Sequence, residues 1–299
     1  MITADRYAAA IGLHEPFVPL PTPPGVTEAQ ARREVLEWLL AEHGRAVDAT
    51  PADADSDVLI RGLLTIRRPG GIPEAVQAGL DRILTARARA RGVVASGEVA
   101  AGAGPSTTID GTTMKVWRGD ITRLAVDAIV NAANAELLGC FRPGHACIDN
   151  AIHSAAGPRL RDDCARIIEI QGHLERTGDA KITRAYHLPS RFILHTVGPI
   201  VVGGQVQGPD ERALASSYRS CLDLAHVTPS LRTVAFCAIS TGVFGYPKDR
   251  AAGVAVRTVS TWLSGHPGAF DLVVFTVFSD ADERAYELAM GAGERDQTS

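Results

Sequence analysis

The sequence predicts a three-layer α/β/α sandwich behind a helical N-terminal unit. Through the C-terminal two thirds of the chain, short apolar runs that read as strands alternate with amphipathic helical segments, the pattern of a sheet covered on both faces. Two of those runs end in loops rich in Asn, Gly, Ser and Thr, VNAAN (130–134) and STGVFGYP (240–247). A third loop, GCFRPGHACIDNAIH (139–153), sets Cys140, His145 and Cys147 within eight positions.

The elements follow in order. The stretch FVPLPTPPG is Pro-rich and extended. Thr27 can cap a helix that starts at Glu28 and carries Val35, Trp38 and Leu39 at helical spacing. DATPADADSDVLIRGLLTIRRPGG reads as a loop followed by a short helical or turn segment. IPEAVQAGLDRILTARARARG reads as a helix with Ile72, Val76, Leu80, Ile83 and Leu84 on one face. Residues 1–92 are thus expected to form a mostly helical extension, a packing appendage without catalytic residues. Residues 93–113 are small, Gly-rich and polar, and read as a linker. MKVWRGD is an alternating strand and AVDAIVNAAN an apolar strand run. CIDNAIHSAAGPRLRDDCARI is a helix, and AKITRAYHLPSRFILHTVGP holds two strands around a Pro-Ser turn. DERALASSYRSCLDLAHV is an amphipathic helix, TVAFCAIS a buried strand, DRAAGVAVRTVSTWLSG a helix, DLVVFTVF a strand and ADERAYELAM a last helix.

Composition narrows the function classes. The chain has 299 residues, 45% of them apolar and 21% charged, which suits one large globular domain or two small ones. A net charge of −4 gives no sign of nucleic-acid binding. No apolar run reaches the roughly 18 residues of a membrane span. The N-terminus MITADRYAAAIGLHEP lacks a basic region before an apolar block, so a cytoplasmic address is expected. Five cysteines in such a compartment point to free or metal-bound thiols rather than disulfides.

Two thiolates and an imidazole suit zinc better than magnesium or calcium, and three ligands leave a fourth position exchangeable, as in catalytic sites. Gly139, Pro143 and Gly144 let the loop turn tightly. The same residues also read as two buried cysteines and a stray histidine. Cys147, at the start of a helix, also reads as a reactive thiol with its pKa lowered by the helix dipole. Asp149 and His153 are near enough to steady a ligand or replace one. Loops after strands sit where open α/β sheets bind ligands; each of 130–134 and 240–247 reads as ordinary turn chemistry by itself, or, for 240–247, as a loop that offers N–H groups to phosphate. Asp120 caps the next turn or accepts an exocyclic amine. Phe278 is a core residue or stacks on a base. Cys164, Cys221 and Cys237 read as core, and His173, His187 and His195 show no partner.

RGDITRLAVDAIVNAAN, the Cys/His loop, RFILHTVGP and STGVFGYPKDRAA resemble, in order and spacing, the macrodomain family over 114–290, with 291–299 left as a tail. The Cys/His loop resembles that of the zinc-containing branch found beside sirtuin-type ADP-ribosyltransferases, which also carries a helical N-terminal extension. The resemblance implies a mixed central sheet and a hydrolase that removes mono-ADP-ribose from Glu or Asp esters of modified proteins, with a sirtuin-type transferase as a functional partner. It implies one zinc ion on Cys140, His145 and Cys147. Asp120 would hold the adenine amine, Ile121 would lend an amide to the phosphates, and Asn131 and Asn134 would hold the distal ribose. Ser240, Thr241, Gly242, Val243, Phe244 and Gly245 would wrap the pyrophosphate and ribose, and Phe278 would flank the adenine. Asn131, Asn134 and Asp149 are the expected catalytic residues, Asp149 by positioning water or tuning a ligand. A module that only reads ADP-ribose, and a cysteine enzyme using Cys147 with His145 as base, are the rival readings.

Overall fold

The structure, a computed structural model, describes residues 2–45 and 53–296; the loop expected over 48–52 lies outside the described residues. Thr27 caps α1 (Glu28–Glu42) through a reciprocal pair with Gln30, 3.2 Å from Gln30 N to Thr27 Oγ1 and 2.8 Å from Thr27 N to Gln30 Oε1. The next segment is a full helix, α2 (Asp53–Ile66), rather than a short turn. α3 (Glu74–Arg91) completes the unit. Val35, Leu36 and Leu39 of α1, Ile60 and Leu63 of α2, and Leu80 and Ile83 of α3 bury one another in a separate small core. The first residues do not belong to it. Tyr7, Ile11 and Leu13 sit in the main core instead, where the Tyr7 hydroxyl accepts the N–H of Ile182 at 3.0 Å.

α3 is pinned to the rest of the chain through Asp81, which is fully buried. Its carboxylate accepts from Leu20 N at 2.7 Å, Arg159 Nη2 at 3.0 Å and His187 Nε2 at 3.1 Å, which supplies the partner His187 lacked in sequence. Burial alone would raise this carboxyl, but the hydrogen bonds from His187 and Arg159 hold it at about 2 against an ordinary 3.8. A carboxyl depressed on folding stabilises the protein above its unfolded value, and that stability is lost as pH falls through the folded value. Asp81→Asn should therefore cost on the order of 2 kcal/mol near neutral pH. The gap to wild type should close between pH 3.8 and about 2. Denaturant unfolding across that range checks it; a gap that persists in acid would contradict the assignment.

The stretch 93–113 is not a linker. It holds β1 (Val94–Ala95), α4 (Ser96–Ala101) and β2 (Ser106–Ile109). β2 pairs antiparallel with β3 (Thr112–Arg118) across Asp110-Gly111, whose φ values of 44° and 87° make the tight mirror-image turn that Asp-Gly favours. Polarity masked this strand, because Ser106, Thr107 and Thr108 are edge residues.

The chain continues through β4 (Leu124–Ala125), which pairs with β1, to β5 (Ala128–Ala132). The helix expected next is two, α5 (Ile148–Ala156) and α6 (Pro158–Gln171). Pro158 lacks an N–H and takes the first position of α6, so the chain breaks before it, at Gly157. β6 (Ala180–Arg184), β7 (Phe192–Thr196), α7 (Gly208–Val227), β8 (Thr233–Phe236), α8 (Lys248–Ser264) and β9 (Leu272–Val277) follow. α9 (Asp280–Asp296) runs through most of the expected tail, and 297–299 lie outside the described residues.

The main sheet has the order β2-β3-β9-β8-β5-β7-β6. Its inner pairs are parallel and each edge strand is antiparallel, so the sheet is mixed, as expected. Side chains alternate between its faces. Phe236 and Phe275 meet Tyr218 of α7 and Tyr286 of α9 on one face. Asn131 and His195 face α5 and α6 on the other. Among the described residues no helix is long and apolar enough to cross a membrane.

Candidate functional site

The parallel strands β3, β9, β8 and β5 end along one edge of the sheet, followed by Asp120, Phe278, Ser240 and the Asn131 region. From β5 the chain crosses through α5 and α6 toward β6 and β7, while from β8 it crosses through α8 to β9 on the opposite side. The crevice between β5 and β8 is therefore the point where strand order reverses, the usual ligand site of an open α/β sheet.

Asp120 does cap the turn Ile121–Arg123: its Oδ1 accepts from Thr122 N at 2.9 Å and Thr122 Oγ1 at 2.7 Å. These bonds fix the half-buried carboxylate at the end of β3, on the same sheet edge. Ile121 is buried beneath it. Phe278 is not core: at 80% exposure it stands free at the end of β9, available to a planar partner. In the 240–245 loop, Tyr246 N donates to Ser240 O at 3.0 Å and Gly245 N to Gly242 O at 3.0 Å, which closes the turn. Val201 N donates to Phe244 O at 2.7 Å and ties the loop to its neighbour. The N–H groups of Thr241, Gly242, Val243 and Phe244 have no partner among the described residues, which leaves them open to an anion.

The two asparagines of VNAAN grip the two ends of the Cys/His loop. Asn134 Nδ2 donates to Gly139 O at 2.9 Å, next to Cys140, while its Oδ1 accepts from Glu136 N at 3.0 Å. Asn131, fully buried, donates from Nδ2 to Asp149 Oδ1 at 2.8 Å, two residues beyond Cys147. The same amide reaches His195 Nδ1 at 3.2 Å, so the His195 proton sits on Nε2, 3.0 Å from Thr183 Oγ1. Asn131 Oδ1 is buried without a partner, an acceptor of the kind that a bound hydroxyl satisfies.

Within the loop, the ligand atoms of Cys140, His145 and Cys147 all lie within 4.8 Å of one another, half-buried. Cys140 Sγ is 3.4 Å from His145 Nδ1, close to the ~3.5 Å that separates two ligands of a tetrahedral zinc at ordinary bond lengths. Asn150 steadies the loop by donating from Nδ2 to His145 O at 2.9 Å. Cys147 is the N-cap of α5 and accepts the Asn150 N–H at 3.4 Å, but its pKa is not lowered as expected. Burial pushes the thiol up to about 11; the Asn150 N–H opposes this, and the adjacent Cys140 thiol adds to it. Two thiols crowded with an imidazole favour a bound cation, which lets both ionise, over a free thiolate nucleophile. The donor set fits zinc.

Behind the loop, burial sets the protonation states. The Asp149 carboxyl is raised to about 6 by burial, against the Asn131 hydrogen bond. Burial holds His195 down at about 3 and His153 well below its ordinary value, so both rings are neutral. His153 Nε2 lies 3.5 Å from Asp149 Oδ1 without hydrogen-bond geometry. His195, Cys164 and Asn150 therefore join the surroundings of the site, although sequence reasoning gave them no role there. Only the spacing of four between Asp149 and His153 on one helix face was a legible signal.

Residues 130–255 match the Macro domain family. A protein-ADP-ribose hydrolase of Treponema medium is 43% identical over 270 residues, which cover 89% of this chain and 100% of the relative. A protein-ADP-ribose hydrolase of Staphylococcus aureus (strain MSSA476) is 51% identical over 181 residues, 60% of this chain and 67% of that relative. The crystal structure of a Trypanosoma brucei macrodomain in complex with ADP-ribose superposes with a TM-score of 0.56 at 27% identity, covering 92% of this chain and 100% of that one.

Proposed function

The chain belongs to the macrodomain family, among its protein-ADP-ribose hydrolases, and from that premise we propose that it is a zinc-dependent hydrolase that removes mono-ADP-ribose from glutamate and aspartate esters of modified proteins. What carries the reading is the grip of VNAAN on the donor loop. Asn134 holds Gly139 before Cys140, and Asn131 holds Asp149 after Cys147. Three metal-type donors are thereby tied to the residues expected to hold the distal ribose.

In this reading Asp120 takes the adenine amine, Phe278 stacks on the ring, and the unpartnered N–H groups of Thr241 to Phe244 take the pyrophosphate, with Ile121 below. Asn131 Oδ1 accepts a ribose hydroxyl. Asp149, its pKa raised to about 6 by burial, holds or takes a proton at the scissile ester and is itself oriented by Asn131. Cys140, His145 and Cys147 would hold the zinc, which when bound supplies a Lewis acid for oxygen at the reacting centre. As the family resemblance implies, a sirtuin-type transferase would be the functional partner that makes the modification.

Metal analysis of the purified protein, paired with release of ADP-ribose from a Glu- or Asp-modified protein, tests this. Chelation should stop release, added zinc should restore it, and ADP-ribose affinity should hold throughout. Undiminished release from zinc-free protein would overturn the zinc dependence.

A further inference from the structure

We propose that Arg161 is a positioning residue for the donor loop, and that through it the helical extension is a working part of the reaction centre rather than a packing appendage. The inference rests on the reading of Cys140, His145 and Cys147 as zinc ligands.

Arg161 stands on α6 and is buried, 7% exposed. Its guanidinium bridges two bodies. Nε donates to Leu138 O at 2.7 Å, two residues before Cys140. Nη1 donates to Leu64 O at 2.8 Å and to Arg67 O, at the C-terminal end of α2 and just beyond it. Carbonyls of a last helical turn lack partners within the helix and favour a cation. A planar fork meets the loop and the helix end together, which the single ammonium of a lysine cannot. Beside it, Asp162 Oδ1 accepts the N–H of Gly70 at 2.9 Å, a second tie to the same segment.

The loop is held on the other side of Cys140 as well. Two guanidinium groups lie over the Phe141 ring, Arg161 at 4.6 Å and Arg68 of the extension at 4.4 Å from the ring centroid. The backbone of Cys140 is thus fixed from Leu138 and from Phe141, and the direction of its Sγ follows. Arg68 and Phe141 are not among the residues expected to hold ADP-ribose. Partners of this kind, one step removed from a ligand, typically change metal affinity or activity about 10–100-fold when lost.

Because Arg161 is buried, the outer pair Arg68→Ala and Phe141→Ala carries the test in the full chain. Combined, they should weaken zinc affinity, measured by competition with a fluorescent chelator, by about 10–100-fold. They should lower kcat while the Kd for ADP-ribose and the thermal midpoint stay near wild type, and Phe141→Tyr with Arg68 intact, which keeps both the ring and its guanidinium partners, should show neither loss. In metal-free protein, Cys140 should be alkylated several-fold faster in the double variant, a readout of loop order that does not depend on zinc. Wild-type zinc affinity, kcat and alkylation rate in that variant would overturn the proposal. If wild type binds no zinc, the zinc reading fails on its own, and the alkylation rate still decides whether the loop is held this way.

Discussion

Cys140→Ala is expected to abolish turnover and to leave ADP-ribose bound. Cys140 supplies one of the three donor atoms held within 4.8 Å, and on the proposed zinc reading the two that are left would not keep the ion in place. Lewis-acid stabilisation is worth several kcal/mol in the transition state, so single-turnover release should fall by at least about 100-fold. The contacts expected for the nucleotide lie elsewhere, on Asp120 after β3, the 240–245 loop after β8 and Phe278 after β9. Calorimetry should therefore return a Kd for ADP-ribose within about threefold of wild type, less than 1 kcal/mol. A variant that lost binding and turnover in equal measure would mean that Cys140 only shapes the cleft. A variant that hydrolysed at the wild-type rate would remove the metal from the mechanism.

Gly139→Ala should harm both stability and activity. Gly139 holds a left-handed φ of 80°, and its carbonyl is the acceptor of Asn134. A methyl in place of its hydrogen would lie 2.8 Å from His153 Cγ. His153 cannot retreat, since it is buried between Asp149 and the His195 ring, 6.1 Å away centroid to centroid. The strain of the backbone and the overpacking together should cost about 2–4 kcal/mol. Relief comes only by moving the loop, which displaces Cys140. Thermal unfolding should show a lowered midpoint, and ADP-ribose release should fall with it. An unchanged midpoint with full activity would show that His153 is not a fixed floor beneath the loop.

Much of the fold was legible because its signals are local. The Thr27–Gln30 cap, the apolar runs of β5, β8 and β9 and the amphipathic α7 can each be read within one window of sequence. The misreadings have local causes too. Ser106–Ile109 are polar enough to pass for a linker, although Asp110-Gly111 marked a hairpin. Gly157-Pro158 split a helix that apolar spacing alone carried through. Tyr7, counted with the extension by its position, belongs to the main core because Ile182 lies 175 residues away in sequence and next to it in space.

By itself the sequence determined the donor loop. Cys140, His145 and Cys147 are close in the chain, and a turn of Gly and Pro can converge them without help from elsewhere. It also determined which loops face the ligand edge, because a strand's end is fixed once the strand is read. Only the tertiary structure decided how the loop is held and what protonation it meets. Arg161, His195 and Asn131 reach their partners across 94, 64 and 18 residues of chain, and no periodicity records such contacts. The rise of the Cys147 thiol, against the helix dipole that the sequence suggested, has the same origin. Burial and a second thiol are properties of the packed site, and there they outweigh the helix N-terminus.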